Sequence, residues 1–242
     1  MEVKMFKRIL LTGLCLSTVV FATENQKDFE MHGELSYVKT SGNSDTETFA
    51  TKIEAKKKLE LNRFFGKGEF LYGKTDDKEN TNKLYLLGRW ERLLSERLFF
   101  FLQGDYLRDK FSGYDYQTTW SGGFGYDIIK TKKHYLKGLA AIGWTFEDFK
   151  TGGSNDYTTG TIELDYNWQI LDNLKFIEEF KYRVNLEDTE TYFINSDTGI
   201  QVKINSHFSL GVGYRVAYQN NPPSDDIEKT DTTFLTSLII DY

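Results

Sequence analysis

From residue 29 onward the chain alternates. Phe29, Met31, Gly33, Leu35 and Tyr37 take the odd positions, and Glu30, His32, Glu34 and Ser36 the even ones. Side chains of a strand point alternately to its two faces, so a period of two predicts a strand with one apolar and one polar face. The pattern recurs to the last residue. It predicts twelve strands, over residues 29–39, 46–61, 64–74, 81–94, 97–110, 115–129, 134–149, 156–170, 174–186, 191–204, 207–219 and 230–242. The sixth is very regular: Tyr116, Trp120, Phe124, Tyr126 and Ile128 oppose Gln117, Thr119, Ser121, Gly123, Gly125 and Asp127. Three places break the rule. Lys57 interrupts an apolar face, Leu84-Tyr85-Leu86-Leu87 leaves the fourth strand's register open, and Ile177-Glu178 stand on the wrong faces, which predicts a bulge there.

The connections alternate in length. Short turns fall near residues 62, 95, 131, 172 and 205, and longer polar loops near 43, 78, 113, 153, 188 and 225. Transmembrane barrels have short periplasmic turns and longer outer loops, and an even strand number leaves both termini on the periplasmic side. Soluble sandwich strands run about five to six residues. A tilted strand needs about nine to eleven residues to cross hydrocarbon, and these run longer. The fold class expected is therefore all-β, an antiparallel transmembrane up-and-down β-barrel. That topology puts Trp90, Trp168, Tyr126, Phe208 and Tyr242 near one interface and Tyr106, Trp120, Trp144, Tyr182 and Tyr218 near the other. Two girdles suit Tyr and Trp, whose rings are apolar and whose tips are polar. The last strand ends on an aromatic, Tyr242; closure against the first strand removes an otherwise sticky edge.

Composition narrows the class. Hydrophobic residues are 39% and aromatics 16% of 242 residues, with only two prolines. Few aliphatics, many Tyr and Phe and almost no Pro fit long strands around little core. The net charge of −6 argues against a nucleic-acid partner. Lys4, Lys7 and Arg8, the apolar run 9–21 and Val20-Phe21-Ala22 form a secretory leader over residues 1–22, leaving 23–242 as one barrel domain. Cys15, the only cysteine, falls in the leader, so disulfides and thiolate metal sites are not expected in the mature chain. After residue 22 no apolar run is long enough for a membrane helix.

The candidate chemistry lies on the polar faces. Lys52, Glu54, Lys56, Lys58, Arg89, Glu91, Asp105, Glu163, Asp165, Glu179, Lys181, Arg183 and Arg215 are expected to point into the lumen. Interleaved charges there either line a narrow water-filled pore for small ions or solutes, or pair across the lumen and close it into a structural or stress-response barrel. His32, His134 and His207 belong to different strands and are expected as isolated hydrogen-bonded residues; zinc needs three or four convergent ligands. His207-Phe208-Ser209 resembles the His-x-Ser of outer-membrane phospholipase A, a remote lipid-modifying alternative. Its inward face at the turn end is the wrong place for cleaving outer-leaflet lipid. Asp76-Asp77 and Asp225-Asp226 lack a calcium-loop pattern. No enzyme activity, cofactor or metal is expected.

Motifs in sequence order carry a resemblance. They are Leu35-Ser36-Tyr37 with Ser41-Gly42-Asn43-Ser44-Asp45, then Asp105-Tyr106, Arg108-Asp109 and Phe111-Ser112-Gly113-Tyr114-Asp115. Gly122-Gly123-Phe124-Gly125-Tyr126 follows, and Tyr218, Pro222-Pro223 and Thr230-Asp231-Thr232-Thr233 close the series. Together they resemble the YdiY-like family of salt-induced outer-membrane proteins, a family of unknown function. The resemblance implies a Gram-negative-type outer membrane and a link to salt stress, and supplies no activity. The partners expected are outer-membrane lipid, small solutes or ions, and the barrel-insertion machinery, since a terminal Tyr resembles its recognition signal. Monomer and oligomer are both left open.

Overall fold

In a computed structural model the described residues are 28–40, 45–224 and 226–242. The leader expected over 1–22, the turn Ser41–Ser44 and Asp225 lie outside them. Twelve strands follow one another: β1 (Phe29–Thr40), β2 (Thr46–Leu59), β3 (Asn62–Thr75), β4 (Lys78–Leu93), β5 (Leu98–Asp109), β6 (Tyr114–Lys130), β7 (His134–Phe149), β8 (Ser154–Leu171), β9 (Leu174–Asn185), β10 (Tyr192–Lys203), β11 (Phe208–Gln219) and β12 (Thr230–Asp241). Each pairs antiparallel with its sequence neighbours, and β12 pairs with β1, closing the sheet. Tyr242 finishes the closure by exchanging backbone bonds with Met31 at 2.8 and 2.9 Å. Among the described residues no helix is long and apolar enough to cross a membrane. The strands have 12 to 18 residues, enough to do so.

The barrel is inverted relative to a water-soluble domain. Trp120 is 65% exposed and Phe234 61%, whereas Thr145 and Thr159 are fully buried and Asp105 is 6% exposed. A wall that turns large apolar side chains outward and charges inward is stable only where the surroundings are hydrocarbon. The outward rings touch along the wall: Trp90 meets Phe100, Phe100 meets Phe124, Tyr106 stacks on Tyr116, and Tyr182, Tyr192 and Tyr218 form a chain.

Several local expectations need correcting. The bulge expected near 177–178 is absent: β9 keeps unbroken register with β8 and β10 through both residues. Glu178 therefore faces outward, and its carboxylate accepts hydrogen bonds from Ser196 Oγ at 2.6 Å and Thr198 Oγ1 at 2.5 Å. Those two hydroxyls satisfy the carboxylate where a bulge would otherwise have turned it inward. The register does shift at Gly73–Lys74, Tyr114–Tyr116, Asp127–Ile129 and Gln169–Leu171. The polar stretch 76–80 is a tight hairpin rather than a long loop. Asp76 and Asp77 both have positive φ, 49° and 60°, the backbone of a two-residue turn matching strand twist. The open register in β4 resolves with Leu86 outward, 46% exposed, and Leu87 inward, 9% exposed.

Inside, one half of the barrel is filled. Phe99, Phe101 and Leu139 form an apolar cluster between β5 and β7. The Phe99 ring lies where a side chain on Gly125 would have to be, so that glycine admits the ring. Above it, Thr119, Thr145 and Thr159 are linked by hydroxyl contacts of 3.0 and 2.6 Å. Beside the filled part runs a cavity of about 1300 Å³, walled mainly by β1–β4 and β9–β12 and reached also by Asp105 of β5, Asp127 of β6, Lys137 of β7 and Glu163 of β8.

Candidate functional site

The lumen is built by parity. On every strand the residues at alternate positions are carried to the inner wall. All thirteen charged residues expected to face the lumen line the cavity: Lys52, Glu54, Lys56 and Lys58 from β2, Arg89 and Glu91 from β4, Asp105 from β5, Glu163 and Asp165 from β8, Glu179, Lys181 and Arg183 from β9, and Arg215 from β11. Carboxylates and cations line it in near-equal numbers, so pairing rather than net charge sets its character.

Pairing crosses the lumen. Glu179 of β9 receives Lys52 at 3.3 Å and Lys67 at 2.9 Å from β2 and β3, on the facing wall. Lys52 also meets Glu54 at 3.1 Å and Glu34 at 3.7 Å. Arg89 pairs with Glu163, and Gln103 accepts the Arg89 Nε–H at 2.6 Å. Lys181 lies 3.6 Å from Asp105 and 3.5 Å from Glu163. Arg183 reaches Asp105 at 3.8 Å and donates to Thr119 at 3.0 Å, with its guanidinium 4.7 Å from the Phe193 ring centre. Arg215 pairs with Glu69 at 3.2 Å and Asp197 at 3.6 Å, Glu91 with Arg63 at 2.6 Å, and Asp165 with Lys137 at 2.7 Å. Charges held in low dielectric need such partners, and here nearly every one has a carboxylate or cation within reach.

Lys56 and Lys58 differ. They stand with Lys175 at the turn end, and among the described residues none of the three has a carboxylate in ion-pair reach. Lys56 lies over the Phe65 ring at 5.7 Å. The turn-end mouth thus holds lysines outside the ion-pair network, beside the carboxylates of Asp28, Glu30 and Asp241. The loop-end mouth carries Asp109 and Asp231, with Lys83 3.5 Å from Asp109.

Parity on the sequence missed several members of this network, notably Lys67, Glu69 and Arg63 on β3. The outward face of β3 carries Phe64, Phe70 and Tyr72, but Gly66 and Gly68 interrupt it and Phe65 and Leu71 fall among the polar positions, which blurred the alternation. Glu147 was also missed. It is buried and accepts from Gln117 and Tyr157, each at 2.7 Å. The available signal was the alternation of Thr145 and Glu147 with the outward Trp144 and Phe146.

The histidines are not all isolated. β12 lies between β1 and β11, so His32 and His207 both reach Asp241: His32 Nδ1 is 2.6 Å from its carboxylate and His207 Nδ1 3.3 Å from its carbonyl. His32 Nε2 is 2.9 Å from Glu34. His134 instead faces outward, stacked against Trp168 and Tyr166. Among the described residues no group of three His, Cys, Asp or Glu is disposed to hold a metal ion. His207 is directed at the Asp241 carbonyl rather than at Ser209, and no base–nucleophile contact forms between them.

A closed antiparallel barrel with an apolar exterior, aromatic contacts along its wall and an ion-paired interior is a β-barrel protein of the outer-membrane type. The chain belongs to the family described as "Protein of unknown function, DUF481", which it matches over residues 33–242. It is 27% identical over 164 residues to the uncharacterized protein YdiY of Escherichia coli strain K12, a match covering 68% of this chain and 64% of that relative's length. Its fold is similar to that of the NanC porin, with a TM-score of 0.51 and 9% identity over 88% of this chain and 97% of that one. It is similar also to the translocator domain of the autotransporter NalP from Neisseria meningitidis, with a TM-score of 0.50 and 11% identity over 99% and 95% of the two chains. At these identities the likeness is one of fold.

Proposed function

We propose that the barrel is a narrow passage for small ions or small polar solutes across the outer membrane, with both termini on the periplasmic side. One observation carries the reading. The cavity of about 1300 Å³ is lined at the turn end by Lys56, Lys58 and Lys130 and at the loop end by Lys83, Asp109 and Asp231, with charged side chains throughout. A hydrated path walled by both signs lets an ion exchange part of its water for protein groups without being trapped. Lys130 is paired with Asp127, but Lys56 and Lys58 stand outside the ion-pair network and favour anions entering there, while the loop-end carboxylates favour cations. A second reading has its own support: Lys52 and Lys67 reach across to Glu179, and Arg89 reaches across to Glu163, as in a barrel closed at rest.

Single-channel conductance of the purified protein in a planar bilayer tests the pair. Reproducible steps whose ion preference moves toward cations in Lys56→Glu are the expected result. Silence from folded protein, persisting when Glu179 is replaced, overturns the passage and leaves the closed barrel. In the same reading, Tyr242 at the end of β12 presents the insertion signal to the assembly machinery.

A further inference from the structure

The wall closes unevenly. Between β1 and β2 the register runs through twelve pairs, from Phe29–Lys57 to Thr40–Thr46. β12 stays paired with β11 up to Thr230. Between β1 and β12 the register holds for five pairs, from His32–Asp241 to Ser36–Ser237, extended at the turn end by the Met31–Tyr242 bonds. Beyond them, residues 37–40 of β1 and 230–236 of β12 are not registered to each other, although each keeps its other neighbour. In hydrocarbon no water replaces a missing ladder bond, so an open edge within a membrane wall is costly unless something covers it.

Side chains cover it from inside. Leu235 of β12 is buried against Ala50 of β2 and Leu71 of β3, an apolar cluster behind the gap and separate from that of Phe99, Phe101 and Leu139. Ser36 ends the ladder. It is 2% exposed, and its Oγ has no hydrogen-bond partner. A buried hydroxyl without a partner marks a place where a polar group is missing. Outward of the gap, Tyr37 and Phe234 are both more than half exposed.

We propose that the β1–β12 seam is a lateral gate, with Leu235 as its latch, through which an amphiphile of the leaflet at the loop end passes an acyl chain into the lumen. The chain lies on Ala50, Leu71 and Leu235, and Ser36 Oγ donates to the carbonyl of its ester or amide linkage. The gate does not require the lumen to conduct, so a silent channel leaves it standing.

The test uses full-length protein, with Cys15→Ser, purified from membranes and reconstituted in phosphatidylcholine vesicles brominated on the acyl chains. A bimane label on Leu71→Cys reports bromine contact. Tyr37→Cys with Thr236→Cys, the next step of the register, is oxidised before labelling to staple the gap. The expected result is quenching of the label, its loss in the stapled protein and its return on reduction. Leu235→Ala is expected to deepen the quenching. A label at Asp165→Cys, in the turn half of the lumen, is expected to stay unquenched. Quenching that the staple leaves unchanged, or no quenching in unstapled protein, overturns the gate. Ala50→Cys serves as the label site should Leu71→Cys fail to assemble, and the same outcomes apply.

Discussion

Glu178 and Glu179 are neighbours with opposite fates. Glu179 enters the lumen and meets Lys52 and Lys67, while Glu178 faces outward and is held by two hydroxyls of β10. Removing one member of a buried ion group costs about 3–5 kcal/mol because its partners are left uncompensated. Glu179→Gln takes one carboxylate from each of two lysines, but Lys52 keeps Glu54 at 3.1 Å and Lys67 keeps Glu69 at 2.9 Å, so a loss at or below the low end of that range is expected. The urea midpoint of the protein in vesicles measures it. If the passage reading holds, the same variant conducts more, and more in favour of anions, because the bridge across the lumen is gone. The faces of both residues were legible from parity. The bulge expected at Glu178 was not needed, because its hydroxyl partners, Ser196 and Thr198, lie on another strand and nothing local announces them.

Each strand depends on what its neighbours leave room for. The Phe99 ring of β5 occupies the space over Gly125 of β6. A β-branched side chain there suits strand geometry yet collides with the ring. Gly125→Val is therefore expected to destabilise the barrel by about 1–3 kcal/mol, the usual cost of overfilling a packed site. Adding Phe99→Ala is expected to recover part of that loss in the same unfolding measurement, which a purely backbone effect would not allow. The last strand makes a different prediction. Deleting Tyr242 removes its two backbone bonds to Met31 and the terminal aromatic together. Less assembled barrel is expected in outer-membrane fractions, while Tyr242→Phe, which keeps both, is expected to assemble normally.

At the scale of the molecule, the connections give an orientation to test. A cysteine at Asp226, in the longest loop, is expected to react with an impermeant maleimide on whole cells. One at Ser206, in the β10–β11 turn, is expected to react only after the outer membrane is opened. The opposite pattern would invert the barrel. The paired lumen also shapes what reaches the protein: with charges of both signs in near-equal numbers, long-range attraction is confined to the two mouths and weakens as salt shortens the screening length.

The sequence by itself determined the strands, their faces and the closed-barrel class, because a period of two is a local property and a strand long enough for hydrocarbon is visible as length. It marked the thirteen charged positions for the same reason. Only the tertiary structure decided their partners. Lys52 and Glu179 are 127 residues apart and meet only because the sheet closes on itself with a particular tilt and stagger. The filled half and the hollow half follow from which side chains share a level across the lumen. The short seam between β1 and β12 likewise depends on how far the first and last strands run together once every other pair has been made.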